Sequence, residues 1–325
     1  MAALIPVRSR SIAAATLARV PRLYAPDSKA AKRFLEYFAA HIRNPNTRRA
    51  YFRATREFSE WCEPNQLTEI VDVEPVHVAA YIEQLGQRLA KPSVKQHLAA
   101  IRMLFDWLVV GQVITSNPAA PVRGPKHVVR KGKTAVLSAE EARTLLESIP
   151  TDTIIGLRDR ALIATMVYTF ARVGAVLKMK VEDVYVQNRR TWVRLHEKGG
   201  KQHEMPCHHS LEAYLNEYLE APEVAFDPKA RLFRAMQRRS GRLTERGLSQ
   251  PDAYRMIQGR ALAAGIRTKI GNHSFRATGI TEYLRNGGKL EIAQRMANHE
   301  SARTTGLYDR RDDQISLDEV ERILI

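Results

Sequence analysis

Cysteine is nearly absent: the 325-residue chain holds two, Cys62 and Cys207, far apart and without CxxC spacing. That excludes a disulfide framework and a cysteine-based zinc site, and makes a reducing compartment, the cytoplasm, the default. Long apolar runs are also missing; none approaches the roughly 18 residues that a membrane span needs. His203, His208 and His209 lack the helical spacing of hydrolytic zinc ligands, so no metal site is expected. Acid is in deficit, with 35 Asp+Glu against 51 Lys+Arg, a formal net charge of +16 and a pI of about 10.0. In a chain of ordinary hydrophobic content, 44%, this excess points to a polyanionic partner, because each cation that neutralises a phosphate releases a condensed counterion. A basic surface that serves solubility alone is the plainer alternative.

A chain of 325 residues is long enough for two domains, since single cores stop growing at roughly 250–300 residues. Residues 1–27 carry Arg8, Arg10, Arg19 and Arg22 and no acid before Asp27. An organelle transit peptide has this composition, but a flexible basic arm is the preferred reading. Residues 28–117 read as four helices. Ser28 is expected to cap the first, with Phe34, Tyr37, Phe38 and Ile42 on one face, and Asn44-Pro45 to stop it. Asn46 is expected to cap the second, where Tyr51, Ala54, Phe58 and Trp61 recur at spacings of three or four. Pro75 and Pro92 suit the first turns of the third and fourth. Arg48, Arg49, Arg53, Lys95 and Arg102 are candidate phosphate contacts, against the reading of an ordinary solvated face. Residues 118–134, rich in proline (Pro118, Pro121, Pro125) and in cations, read as an interdomain linker.

Residues 135–313 form the second domain. Ser138 and Glu141 fit a capping box. An apolar helix follows in which Leu162, Met166 and Phe170 are read as buried, and it delivers Arg172; residues 176–184 are expected to form a shorter helix. Two β-like runs, 191–196 and 202–206, flank the turn Glu197-Lys198-Gly199-Gly200-Lys201. A helix begins at His209, Leu232-Phe233 is a candidate edge strand, and a helix from Ser249 to Gly265 carries Arg255 and Arg260, further candidate DNA contacts. Asn272 is expected to cap a helix that sets His273 and Arg276 one turn apart. Gly287-Gly288 ends it, residues 290–297 form another, and Ser301 caps a short helix leading to Tyr308. Residues 314–325 read as a terminal helix with Leu317, Val320, Ile323 and Leu324 on one side. Taken singly, Arg172 reads equally well as a helix C-terminal cation and Tyr308 as amphipathic packing. Together they supply what phosphoryl chemistry needs, namely cations and hydrogen-bond donors around the phosphate and a nucleophile.

The order Arg172, Lys198, His273-Ser-Phe-Arg276, His299 and, nine residues later, Tyr308 resembles the tyrosine recombinase (phage integrase) family. The resemblance spans roughly residues 28–325 and is most specific over 272–311. It implies a mainly α fold: an N-terminal four-helix, SAM-like core-binding domain, then a mixed α+β catalytic domain with a small antiparallel sheet, the two clasping a DNA duplex. It also implies a DNA strand-exchange enzyme without metal, ATP or other cofactor. Tyr308 would attack the scissile phosphate to give a 3′-phosphotyrosyl link, with Arg172 and Arg276 neutralising the non-bridging oxygens. His273 and His299 would hydrogen-bond and help deprotonate the phenol, and Lys198, with Lys201 as runner-up, would protonate the leaving 5′-oxygen. The implied partners are duplex recombination sites, further copies of the chain as a tetramer on two sites with the tail helix docked on a neighbour, and accessory proteins of the host or element; no membrane is implied. Integration or excision of a mobile element and dimer resolution all fit. A type IB topoisomerase-like relaxing enzyme and a non-catalytic DNA-binding protein are the rival readings. The chain departs from the family at Ala175, where an acid commonly stands three residues after the first arginine, at Asn298, where glycine is common, and at Ala277.

Overall fold

A computed structural model describes residues 20–128, 132–197, 200–224, 227–237 and 241–309, which fall into two compact units parting between Val128 and Val129. The first unit is built from α1 (Ser28–Glu36), α2 (Pro45–Cys62), α3 (Pro75–Arg88) and α4 (Lys91–Val110), with α1 running on into a π-turn over Tyr37–His41. The apolar positions spaced by three and four face inward: Phe34, Tyr37, Phe38, Ile42 and Phe58 are all buried, with Leu104 and Phe105 of α4 against them. Both expected caps move. Asp27, not Ser28, accepts the Ala30 amide at 2.7 Å, and Asn44, not Asn46, accepts the amides of Asn46 and Thr47 at 2.9 and 3.2 Å. The reason is common to both, since a capping oxygen must reach an amide two or three residues ahead and so sits outside the helix. Pro45 then takes the first helical position, where its missing N–H is not needed.

The arm and linker boundaries also shift. Leu23 and Tyr24, expected within the flexible arm, are buried in the first core; Tyr24 stacks on Phe34 with ring centroids 4.9 Å apart and donates to the Thr55 carbonyl at 3.0 Å. Residues 1–19 lie outside the described residues. At the other end, Ala119 and Val122 of the expected linker are buried in the same core. Arg102 clamps them, donating to the Ala119 carbonyl at 3.0 Å and also to that of Val122.

The second unit begins with α5 (Ala139–Glu147), capped by the Ser138–Glu141 box, then α6 (Ile154–Tyr168) and the single turn α7 (Val173–Val176). An antiparallel sheet of β1 (Val184–Gln187), β2 (Arg190–His196) and β3 (Gln202–Pro206) follows in the order β1-β2-β3. The helix expected over 176–184 does not form. Asp183 accepts the Lys180 amide at 2.8 Å to make a tight turn, and the next residues pair with β2, Val184 opposite Val193. Next come α8 (His209–Leu219), the hairpin β4 (Arg234–Met236) and β5 (Leu243–Gly247), α9 (Gln250–Ala263), α10 (Ser274–Arg285), α11 (Leu290–Met296) and α12 (Ala302–Gly306). Leu232 and Phe233 are fully buried just before β4; they enter the core and do not close the three-stranded sheet as an edge. The expected tail helix over 314–325 lies outside the described residues. Among these residues no helix is long and apolar enough to cross a membrane.

The core of this unit is organised on α10, whose residues from Ser274 to Thr281 are all buried. Thr278 accepts the Leu137 amide at 3.0 Å ahead of α5, and Gly279 lies against the end of α6. A Cβ at position 279 would overlap the Val167 carbonyl oxygen and come within 2.7 Å of the Phe170 ring. Gly279→Ala is therefore expected to destabilise the protein by about 1–3 kcal/mol through overpacking, read as a lower thermal midpoint. An unchanged midpoint would mean that α10 and α6 are free to separate.

Candidate active site

Arg276 sits one turn after His273 on α10 and is 2% exposed. A guanidinium in that position needs partners. Its Nη1 donates to the Phe170 carbonyl and its Nη2 to the Ala297 carbonyl at 2.5 Å. Both acceptors belong to left-handed turns: Phe170 has φ +54°, and Asn298, directly after Ala297, has φ +46°. Asparagine tolerates this region and glycine enters it freely, which accounts for Asn298 as the departure noted above.

These turns deliver the next two groups. Two residues beyond Phe170, Arg172 stands at the start of α7 with a side chain 41% exposed, and its Nη1 donates to Glu197 Oε2 at 3.0 Å. One residue beyond Asn298, His299 is buried, with Nδ1 2.9 Å from Thr305 Oγ1. Ser301 caps α12 through the Arg303 amide, and Tyr308 follows α12. The Tyr308 backbone is fixed twice, its amide donating to the Thr305 carbonyl at 2.9 Å and its carbonyl accepting Thr281 Oγ1 of α10 at 3.0 Å. The Tyr308 and His299 rings lie nearly parallel, with centroids 5.8 Å apart, and Tyr308 is near enough to Arg276 for the two to interact electrostatically.

His273 stands at the exposed rim. Asn272 does not cap α10 as expected: its Nδ2 donates to the Gln250 carbonyl at 3.4 Å, and Ser274 Oγ accepts the Gly271 amide at 3.0 Å. The backbone is already helical at His273, so an oxygen at position 272 does not face the free amides. Arg172, Arg276, His299 and Tyr308 thus converge, and His273 lies near enough to feel the charges of Arg276 and Arg172. Lys198 lies outside the described residues. Lys201, across the same turn, lines the cleft with Arg172, Glu197, Asn298 and His299 and pairs with Glu300 at 3.2 Å. Sequence reasoning missed Glu197, Thr281 and Thr305. Only Glu197 carried a signal, as an acid beside the hairpin lysine.

The site is electrostatically crowded. Burial, and then the like charge of Arg172, bring Arg276 down to about 10, still a cation at neutral pH. Burial, followed by the charges of Arg276 and Arg172, pushes His299 down to about 4. Partial burial and the same two charges lower His273. Both imidazoles are therefore neutral at pH 7, and His299, with Nδ1 taken by Thr305, presents Nε2. The arrangement gathers two cations, two neutral imidazoles and a phenol, the set that a phosphodiester needs for nucleophilic attack.

The other candidate DNA contacts divide into two groups. Three are turned inward. Arg48 donates to the Ile42 carbonyl at 3.0 and 2.8 Å, Arg102 clamps residues 119–122, and Arg260 grips Asp159 Oδ2 at 3.0 and 2.8 Å while Arg158 holds Oδ1. Arg53 and Arg255, 72% and 64% exposed, make only local pairs with Glu57 and Asp252; Arg49 and Lys95 are exposed too. Exposed pairs of this kind are weak and yield readily to a phosphate.

Comparison with known proteins bears on the family and the fold. The phage integrase family profile matches residues 135–314, and the phage integrase N-terminal SAM-like domain matches residues 31–114. Tyrosine recombinase XerD of Listeria innocua serovar 6a is 26% identical over 266 residues, 81% of this chain and 87% of that protein. Among solved structures, XerH recombinase bound to palindromic difH substrate in a post-cleavage complex superposes with a TM-score of 0.69 at 17% identity, covering 94% of this chain and 96% of that one. A lambda integrase tetramer bound to a Holliday junction gives 0.62 at 19% identity over 83% and 76%. The expected mainly α, two-part architecture is the shared fold.

The lowered imidazoles make stability depend on pH. Unfolded histidines take up protons near pH 6.5, whereas folded His299 does so only near 4, so the unfolded state binds more protons in between. Stability is thus full above about pH 6.5 and falls as the pH drops toward 4. Thermal midpoints of the free protein should show this decline, and His299→Gln should make it shallower; an identical slope would remove His299 as its source.

Proposed function

The chain belongs to the phage integrase family, the tyrosine recombinases, and on that premise we propose that it recombines DNA at specific sites through a 3′-phosphotyrosyl intermediate on Tyr308. The setting of Tyr308 carries the reading, a phenol stacked beside a neutral imidazole and electrostatically coupled to a buried guanidinium at a cationic cleft. The scissile phosphate would enter with its non-bridging oxygens on Arg172 and Arg276. A guanidinium has five N–H donors, and two of those on Arg276 are held by carbonyls, so three remain in a fixed orientation. Donors preset in this way act where charge develops in the transition state, which is where they accelerate the step. As the Tyr308 oxygen bonds to phosphorus the bond to the 5′-oxygen breaks; the phenolic proton passes to a neutral imidazole, His273 or His299, and Lys198 protonates the departing oxygen.

One phosphate ester replaces another, so the link retains the energy of the bond that was cut. A 5′-hydroxyl from a second strand can then reverse the step without ATP or a metal. Strand exchange between two duplexes needs more than one nucleophile, so a tetramer on two sites is the proposed working assembly, with residues 314–325 joining neighbours and accessory proteins setting direction. The DNA substrate puts the reaction in the cytoplasm. Integration, excision or resolution follows from whether the two sites lie on one molecule or two. Exposed Arg49, Arg53, Lys95 and Arg255 are the proposed backbone contacts.

A duplex enriched on the protein from a random pool, nicked beside the cleavage position so that religation is blocked, tests the chemistry. Wild type is expected to form a denaturant-resistant adduct and Tyr308→Phe none, while Arg276→Ala should slow its formation by about 10²–10³-fold. An adduct with Tyr308→Phe would assign the nucleophile elsewhere. Recombination between paired sites, as opposed to supercoil relaxation alone, separates this reading from a topoisomerase.

A further inference from the structure

Two guanidiniums close to one another repel, and each has rotamers that turn it away from the other. Arg276 is fixed by two carbonyls, but Arg172 has no such clamp: its side chain is 41% exposed and one partner is seen, Glu197. The two members of that pair differ sharply in setting. The Glu197 side chain is 4% exposed, and a carboxylate so enclosed persists only when it faces positive charge. It faces several: besides the 3.0 Å contact with Arg172, its charge bears on Arg276 and on His203 of β3. Its position is set by the hairpin, where the Glu197 amide donates to the Lys201 carbonyl at 2.8 Å directly after β2. The other acid lining the cleft, Glu300, is 88% exposed and turned to Lys201. Ala175, three residues after Arg172, has no carboxylate to offer.

We propose that Glu197 is the positioning residue for Arg172, a buried carboxylate supplied by the β2–β3 turn that holds one edge of the guanidinium so that the opposite edge meets the phosphate. The contact uses Nη1 alone, leaving Nη2 and Nε for the two parallel hydrogen bonds of a bidentate phosphate contact. Glu197 touches neither the phosphate nor Tyr308 and acts through Arg172. The same turn carries Lys198, so one hairpin sets the orientation of an oxyanion donor and contributes the lysine proposed to protonate the leaving group.

The inference rests on the recombinase reading, and the test keeps the two apart. Single-turnover adduct formation on the nicked duplex is measured at saturating protein for wild type, Glu197→Gln, Glu197→Asp, Arg172→Ala and the double variant Glu197→Gln/Arg172→Ala, with thermal midpoints and DNA affinity for each. Glu197→Gln is expected to slow the adduct step about 10–100-fold while affinity changes by less than about 3-fold, since only transition-state alignment is lost. Glu197→Asp should recover part of the rate. In the Arg172→Ala background the Gln substitution should make no further difference, because the group it positions is gone. Wild-type rates in Glu197→Gln, a full multiplicative loss in the double variant, or a loss of rate only in step with a fall in thermal midpoint would each overturn the proposal. A wild type that forms no adduct would instead overturn the recombinase reading beneath it.

Discussion

A guanidinium that is 2% exposed must find its hydrogen-bond partners within the protein, and most of the second unit can be derived from how Arg276 does so. Its two acceptors, the carbonyls of Phe170 and Ala297, come from turns at the ends of α6 and α11. Arg172 lies two residues past the first acceptor and His299 two residues past the second. Satisfying one buried cation therefore registers two chain segments against α10. Tyr308 is brought in by the same helix, through Thr281, and is linked to His299 through Thr305. Moving α10 would displace every one of these groups together, and the residue of α10 that packs against the end of α6 is a glycine, Gly279.

The arrangement carries a cost in the free protein. Phenylalanine in the left-handed region at position 170 is strained by roughly 1–2 kcal/mol, and Arg172 and Arg276 depress each other's neighbours as well as Arg276 itself. Among the described residues, the internal acid that answers this charge is a single buried carboxylate, Glu197, on one side of Arg172. In the proposed reaction a phosphodiester would supply the counter-charge on the open side, so binding would relieve a repulsion that folding has left in place. Neutral imidazoles follow from the same field. They remain able to accept a proton from a phenol or to hydrogen-bond an oxyanion, which protonated rings beside two arginines could do only in part.

Local signals in the sequence were legible wherever one element is enough to produce them. Spacings of three and four gave the four helices of the first unit and their inward faces, the Ser138–Glu141 pair gave a true capping box, and alternation around a glycine-rich turn gave the β2–β3 hairpin. Where two neighbouring residues can perform the same task, as with Asp27 and Ser28 or Asn44 and Asn46, composition does not choose between them; the reach of an oxygen to an amide does. Residues 176–184 misled because Val, Leu and Met suit either period, and the turn at Asp183 and the partner strand decide the outcome. Arg48, Arg102 and Arg260 look like surface cations in the sequence, but each meets an internal acceptor that only the fold brings near: a carbonyl for the first two and Asp159 for the third.

Glu197 shows why part of the site is hidden from the sequence. A reader looking for an acid to orient Arg172 searches its own turn, where helical geometry makes residue 175 the natural neighbour, and finds alanine. The requirement is spatial, not sequential. A guanidinium edge needs an acceptor about 3 Å away and shielded from water, and that acceptor can come from any segment crossing the spot. The β2–β3 hairpin does cross it, bringing Glu197 to Arg172. Once the hairpin is there, an acid at its first turn position meets Arg172 across 25 residues of sequence, while Ala175 is packed into the core. The departure at 175 and the acid at 197 are then two sides of one solution to the same electrostatic problem.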